Sequence, residues 1–258
     1  GVQPSLFLYS SLVSLAAKTA SEPPLPATRF LQGLGVIEGM RKAGVTPDVV
    51  CYNALLVAAV KCPNTTLDDG YWILDEMGHV PVRPDEFTFA TLLDLCASDV
   101  ERGLAEVSDA EQVMVEMTAL GLKTSTYVYN SLLKAYAKAA VRGRAGIADL
   151  RGVIARMEQD KVRLDRITFT TWISALPHCA ERAMASRSDA RVAIVRMREE
   201  GMSPSTGLYH VWLRVIATEA AQGLAGPDDA LEVVDFMRRV GKRVGTETYM
   251  RVMHVMVE

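Results

Sequence analysis

Two series of residues run in step through the 258-residue chain. An aromatic anchor recurs at Tyr9, Tyr52, Phe89, Tyr129, Phe169, Tyr209 and Tyr249, and a methionine at Met40, Met77, Met117, Met157, Met197 and Met237. Every one of these Met residues stands 12 positions before the next aromatic, whereas the interval from an aromatic to the following Met is 31, 25, 28, 28, 28 and 28. One junction of the unit is thus fixed in length and the other is tolerant. That is the mark of a repeat array whose repeat-to-repeat packing is constrained while outer connections absorb change. The variable residues are expected in a loop between the two halves of each unit.

Both halves have helical periodicity. Positions +3 and +4 from the aromatic carry apolar residues such as Leu55 and Leu56, Leu92 and Leu93, Trp212 and Leu213. Positions −4 and −3 from the Met carry Ile73 and Leu74, Val153 and Ile154, Val233 and Val234. Spacing of 0, 3, 4 marks one face of an α-helix, and nothing alternates by two as a strand requires. Position −7 is small at Gly33, Gly70, Ala110, Ala190 and Ala230, which predicts close helix approach; Leu150 is the exception. Position −8 is acidic at Asp69, Asp109, Asp149, Asp189 and Asp229, the chemistry of a helix start. Gly44, Gly121, Gly201 and Gly241 follow four residues after a Met as left-handed stops, and Pro47, Pro84 and Pro204 bar continuation. Each unit therefore reads as helix A, a loop, helix B and a tight turn. The units run 6–48, 49–85, 86–125, 126–165, 166–205 and 206–245, with a partial unit at 246–258. The register breaks off mid-unit, so further chain or a partner is expected over that end. Pro177 inside a helix A predicts a kink or an early end there.

Composition narrows the function classes. Lys plus Arg number 28 and Asp plus Glu 31, a net charge of −3, so any polyanion site must be local. The uncharged stretches Val2–Ala17 and Val49–Val60 are too short to span a membrane, and no basic residue precedes the first as in a signal peptide. Cys51, Cys62, Cys96 and Cys179 have no close pairing and read as small core residues in a reducing compartment. His79, His178, His210 and His254 are scattered over separate units, and no C-x-x-C, H-E-x-x-H or Gly-rich phosphate loop occurs. The acids at −8 fall one per unit and cannot converge on a metal ion. The expectation is a non-enzyme without metal or cofactor.

At this level of detail the chain resembles the pentatricopeptide repeat family. Val49-Val-Cys-Tyr-Asn-Ala-Leu-Leu and Arg166-Ile-Thr-Phe-Thr-Thr-Trp-Ile resemble that family's helix A. Asp109-Ala-Glu-Gln-Val-Met-Val-Glu-Met and Asp229-Ala-Leu-Glu-Val-Val-Asp-Phe-Met resemble its helix B, and Gly44-Val-Thr-Pro-Asp its closing turn. The tetratricopeptide family expects a Trp and a Gly–Tyr pair in helix A, which these units lack. The period of 40 exceeds the family's unit of about 35. The resemblance implies an all-α fold, a right-handed α-solenoid of helix-turn-helix repeats; the periodicity itself does not set the hand.

The resemblance also implies recognition of single-stranded RNA, one base per unit, by the residue after the aromatic and the last residue of the unit. Two or three short polar side chains per repeat suffice to hydrogen-bond an unstacked base edge. Here the pairs are Ser10 with Asp48, Asn53 with Asp85, Ala90 with Ser125, Asn130 with Asp165, Thr170 with Ser205, and His210 with Gly245. Asn53/Asp85 and Asn130/Asp165 match the family's pattern for uracil. Ser10/Asp48 suits a purine, Thr170/Ser205 is marginal, and the remaining two do not fit. The second member of each pair is also placed to cap the next helix A. Base-flanking groups would be Phe7, Val50, Phe87, Tyr127 and Ile167, two residues before each aromatic, giving way to Gly207; they could equally pack between repeats. Phosphates would meet Lys18, Lys61, Lys134, Lys138 and Arg214, a stripe interrupted by Asp94 and open to a reading as solvated surface. The function expected is non-catalytic binding of an organellar transcript or rRNA, in a mitochondrion or plastid, for RNA processing, stability or translation. The alternative is an architectural subunit of an organellar ribosome or other large complex, working through protein contacts.

Overall fold

The computed structural model of the protein describes residue 11 and residues 26–257. Among them are twelve α-helices and no strand: α1 Pro26–Lys42, α2 Val49–Lys61, α3 Leu67–His79, α4 Glu86–Arg102, α5 Val107–Ala119, α6 Thr126–Val141, α7 Ile147–Gln159, α8 Arg166–Ala180, α9 Arg187–Glu199, α10 Thr206–Ala221, α11 Pro227–Arg239 and α12 Thr246–Val257. The chain forms two compact units, 1–135 and 136–258, divided within α6. In the first, α2 packs on α1, α3 and α4, and α4 on α3 and α5. In the second, α10 packs on α8, α9, α11 and α12. B helices α3, α9 and α11 are thus each wedged between the A helices before and after them, and α2 lies beside α4 in the first unit and α10 beside α8 and α12 in the second.

The constant half of the repeat is visible in the helix lengths. From α3 onward every B helix has 13 residues, ending two after its Met. A six-residue turn follows each time, and the aromatic is the fourth residue of the next A helix. That turn is what holds the Met-to-aromatic interval constant. Met40, Met77, Met117, Met157, Met197 and Met237 are all 0% exposed, and Phe89, Phe169 and Tyr209 likewise. Side chains this large, buried at fixed spacing, tolerate no insertion between them.

The variable half corrects an expectation. The connections from helix A to helix B are only four to six residues long. What differs is helix A itself, 13 residues in α2 but 15 to 17 in α4, α6, α8 and α10. The additional residues form about one more helical turn, roughly 5 Å of axis, rather than a bulky loop. They add buried surface, including Val100 on α4 and Cys179 and Ala180 on α8.

The punctuation acts as its chemistry dictates. Asp69, Asp109, Asp149, Asp189 and Asp229 each sit three residues past the N-cap of a B helix and accept the N-cap backbone N–H at 2.7–2.9 Å. This is the reach-back half of a capping box. Gly70 lets α3 close on α4: a Cβ there would stand 2.7 Å from Leu92 Cδ2. The turn after helix B passes through positive φ at Gly44, Gly121, Gly201 and Gly241, and also at Lys161, where φ is 57°. The connection after helix A does so at Gly103, Gly143 and Gly223, and at Ala183 with φ 55°. Helix α8 runs through Pro177 and ends three residues later at Ala180. The four cysteines are buried and unpaired, and burial pushes the thiols of Cys51 and Cys179 up to about 11 and that of Cys96 to about 12. No described helix is long and apolar enough to cross a membrane.

Candidate nucleic-acid interface

The residue after each aromatic lies one turn into helix A, and the last residue of each unit is the N-cap of the next helix A. Side-by-side packing of α2 and α4 brings one such pair into contact. Asn53 Nδ2 donates to Asp85 Oδ1 at 3.1 Å. The same Asp85 oxygen accepts the Thr88 N–H at 2.9 Å and so caps α4. Capping and contact with the paired asparagine are therefore not alternatives for Asp85, because one carboxylate serves the helix start and Asn53 together. The Thr88 hydroxyl stands 2.7 Å from Asn53 Oδ1 and 3.0 Å from Asp85 Oδ1, and accepts the Asp85 N–H at 3.0 Å. Since a carboxylate only accepts, the amide must present its nitrogen to Asp85 and its oxygen to Thr88. Asn53 is 8% exposed, and an amide has two N–H groups and two lone pairs on oxygen. One of each is used, and one of each remains.

The next pair is closed. Ala90 is fully buried and offers no polar atom, and Ser125 Oγ donates to Glu86. The flanking rings of Phe87 and Tyr127 stack on each other, centroids 5.8 Å apart and planes 18° off parallel. Beside them Lys134 Nζ is held by Asp94 at 3.0 Å, so a cation expected to meet phosphate is neutralised by the acid that interrupts the stripe.

The remaining positions differ among themselves. Asn130 is buried like Asn53, at 7% exposure, and Asp165 caps α8 by accepting the Thr168 N–H at 2.8 Å. Thr170 donates back to the Arg166 carbonyl at 2.7 Å, and Ser205 makes no capping hydrogen bond at the start of α10. His210 is 9% exposed; its Nε2 lies 3.0 Å from Thr248 Oγ1 and its Nδ1 3.4 Å from Glu247 Oε1. The carboxylate requires the proton on Nδ1, so Thr248 donates to Nε2 and both ring nitrogens are engaged. Burial holds this imidazole below the ordinary 6.5, against the opposing pull of Glu247. Asp48 caps α2 through the Cys51 N–H at 3.0 Å. Its partner Ser10, together with Phe7 and Lys18, lies outside the described residues.

The flanking positions face outward: Val50 is 52% exposed, Phe87 41%, Tyr127 43% and Ile167 60%. These groups are therefore available to bases, although Phe87 and Tyr127 are in contact with each other. Lys61 is exposed at the end of α2, and Lys138 is half-buried on α6. Arg214 is exposed and lines an open groove of about 640 Å³ between α10 and α12, with Met250, Arg251 and His254. Among the described residues no cluster of three or more His, Cys, Asp or Glu could hold a metal ion.

Sequence reasoning missed Thr88 and Thr248, third in their A helices and 0% and 1% exposed. Each reaches the reading position one unit earlier. The available signal was a threonine three residues after a capping aspartate in Asp85–Thr88 and Asp165–Thr168.

Residues 34–62 and 112–177 match the family model of the pentatricopeptide repeat domain. No curated protein matches the chain. Among solved structures, the crystal structure of the pentatricopeptide repeat protein PPR10 in complex with an 18-nt psaJ RNA element is 20% identical with a TM-score of 0.57, over 98% of this chain and 41% of that one. The PPR domain of Arabidopsis thaliana protein-only RNase P 1, in complex with tRNA, is 17% identical with a TM-score of 0.57, over 78% of this chain and 93% of that one. Arabidopsis thaliana nuclear protein-only RNase P 2 is 16% identical with a TM-score of 0.55, over 78% and 40%. The chain thus spans about two fifths of the length of PPR10 and of RNase P 2. These likenesses fix the fold as an all-α repeat solenoid. The match of residues 34–62 and 112–177 to the family model, and helix pairs folded as in the solved pentatricopeptide repeat proteins, support a pentatricopeptide repeat protein.

Proposed function

We propose that the chain binds single-stranded RNA along its A helices without catalysing a reaction on it. The observation that carries this reading is the Asn53 amide, buried at its root, pinned by Asp85 and Thr88, and left with one donor and one acceptor. Hydrogen-bonding capacity of that kind suits a base edge. Val50, one turn before Asn53 on α2, is more than half exposed, so an apolar surface for the base lies beside the polar group. The RNA held by PPR10 and by the PPR domain of RNase P 1 supports the same reading. Asn53/Asp85 and Asn130/Asp165 are the uracil-reading pairs, with Thr170/Ser205 and Ser10/Asp48 as weaker positions. Lys61, Lys138 and Arg214 serve the phosphates. The whole of 1–258 acts as one array, in a mitochondrion or plastid, holding a transcript or rRNA segment for its processing, stability or translation.

A second reading, an architectural subunit of an organellar ribosome or comparable complex, is favoured by the net charge of −3 and by Asp94 neutralising Lys134. Binding of the chain to uracil-rich single strands, followed by fluorescence anisotropy, separates the two. RNA binding weakened by Asn53→Ala and Asn130→Ala supports the first. Absence of binding, or binding indifferent to both substitutions, supports the second.

A further inference from the structure

We infer that Thr88 is a positioning residue for base selection, one that together with Asp85 holds the Asn53 amide facing one way. The inference rests on the RNA-reading function proposed above and adds a residue to it. An asparagine amide rotated by half a turn keeps its shape and exchanges donor for acceptor. Uracil and cytosine differ in just that sense: uracil offers a carbonyl oxygen and an N–H where cytosine offers an amino group and a bare ring nitrogen. An amide held in one orientation therefore distinguishes them, and one free to rotate does not.

Two protein groups hold Asn53. Asp85 accepts from Nδ2 at 3.1 Å, a long bond, on an oxygen that also accepts the Thr88 backbone N–H. The Thr88 hydroxyl, fully buried, stands at 2.7 Å from Oδ1, closer than to Asp85. Its orientation is set in turn by the Asp85 N–H, whose proton it accepts, so its own proton is directed away from the cap. Removing the hydroxyl leaves Asn53 Oδ1 without a donor and Asp85 N–H without an acceptor. The sequence repeats the association. Where the third residue of helix A is Thr88, Thr168 or Thr248, the reading position one unit earlier is Asn53, Asn130 or His210, all buried polar groups. Where it is Cys51, Val128 or Leu208, that position is Ser10, Ala90 or Thr170.

The test uses the whole chain carrying Asn130→Ala, so that Asn53 is the remaining asparagine reader, and compares uracil-rich with cytosine-rich strands by anisotropy. Thr88→Val keeps the shape and removes the hydroxyl; Thr88→Ser keeps the hydroxyl. The expected result is a uracil-over-cytosine preference reduced at least threefold by Thr88→Val and restored to within twofold of the parent by Thr88→Ser. A preference lost in Asn53→Ala but kept in Thr88→Val overturns the inference. If the parent binds neither strand, it is the RNA-reading function that fails. A second readout then decides on Thr88: exchange of the Asn53 side-chain amide protons with solvent, followed by NMR. Exchange must be faster in Thr88→Val than in Thr88→Ser, and equal rates overturn the inference.

Discussion

Asn53 and His210 occupy the same position of the repeat, and a threonine from the next A helix reaches both, yet the two sites end in different states. At Asn53 the threonine and an aspartate take one donor and one acceptor of an amide that has two of each. At His210 the threonine and Glu247 take the two nitrogens of a ring that has no others. The same supporting device leaves one side chain with unused valence and the other with none. Being polar and placed in the groove is therefore not enough to read a base. What counts is how many hydrogen bonds remain after the protein has satisfied its own buried groups.

The comparison breaks most visibly if Asn53→Ala and Asn130→Ala are combined. Each is expected to weaken binding to a uracil-rich strand about tenfold, the scale of one well-placed base contact, and together about a hundredfold. His210→Ala should leave that affinity within about twofold of the parent, and a loss as large as that of Asn53→Ala would overturn the distinction. Next in size is a gain. His210→Asn with Gly245→Asp rebuilds the Asn53 set around a Thr248 that is already in place. A Cβ at Gly245 meets nothing within 4 Å, so the aspartate is sterically accepted. About tenfold tighter binding to a strand extended by one uracil is expected, measured against the same strand extended by cytosine.

The smallest effect concerns acidity. Burial holds His210 below 6.5 in the folded chain, so the neutral ring is the folded form. Its stabilising contribution is complete above 6.5 and declines as pH falls below that value, where the unfolded chain takes up the proton first. Glu247 and Arg251 face the ring with opposite effects. In thermal melts between about pH 7.5 and 5.5, His210→Gln should lose less stability than the parent, and parallel curves would show the ring does not titrate on unfolding.

Much of this architecture was legible in the sequence because its most constrained parts are local. The acids at Asp69 and Asp229 cap a helix three residues away, and the glycine at Gly121 ends one a few residues back, so spacing alone exposes them. The destination of the variable residues was not legible. Segments such as Ala217–Ala221 lack the strict 0, 3, 4 pattern and look like loop, but pack as another turn of helix. Lys161 and Ala183 stand at positive φ where neighbouring repeats have glycine, an override of local preference by the surrounding packing. The candidate site was legible as a column of residue types. Its state was not, since the Thr88 bond to Asn53 joins residues 35 apart and the stacking of Phe87 on Tyr127 joins residues 40 apart.

The added turn of helix A lies at the end of that helix remote from Asn53 and its counterparts. The thirteen-residue B helix and six-residue turn that follow are the same whether the unit has 37 residues or 40. Growth of a unit thus thickens the protein away from the proposed RNA groove and leaves the step from one candidate base position to the next unaltered. An array built this way can drift in size during evolution while its ruler keeps the same gradation.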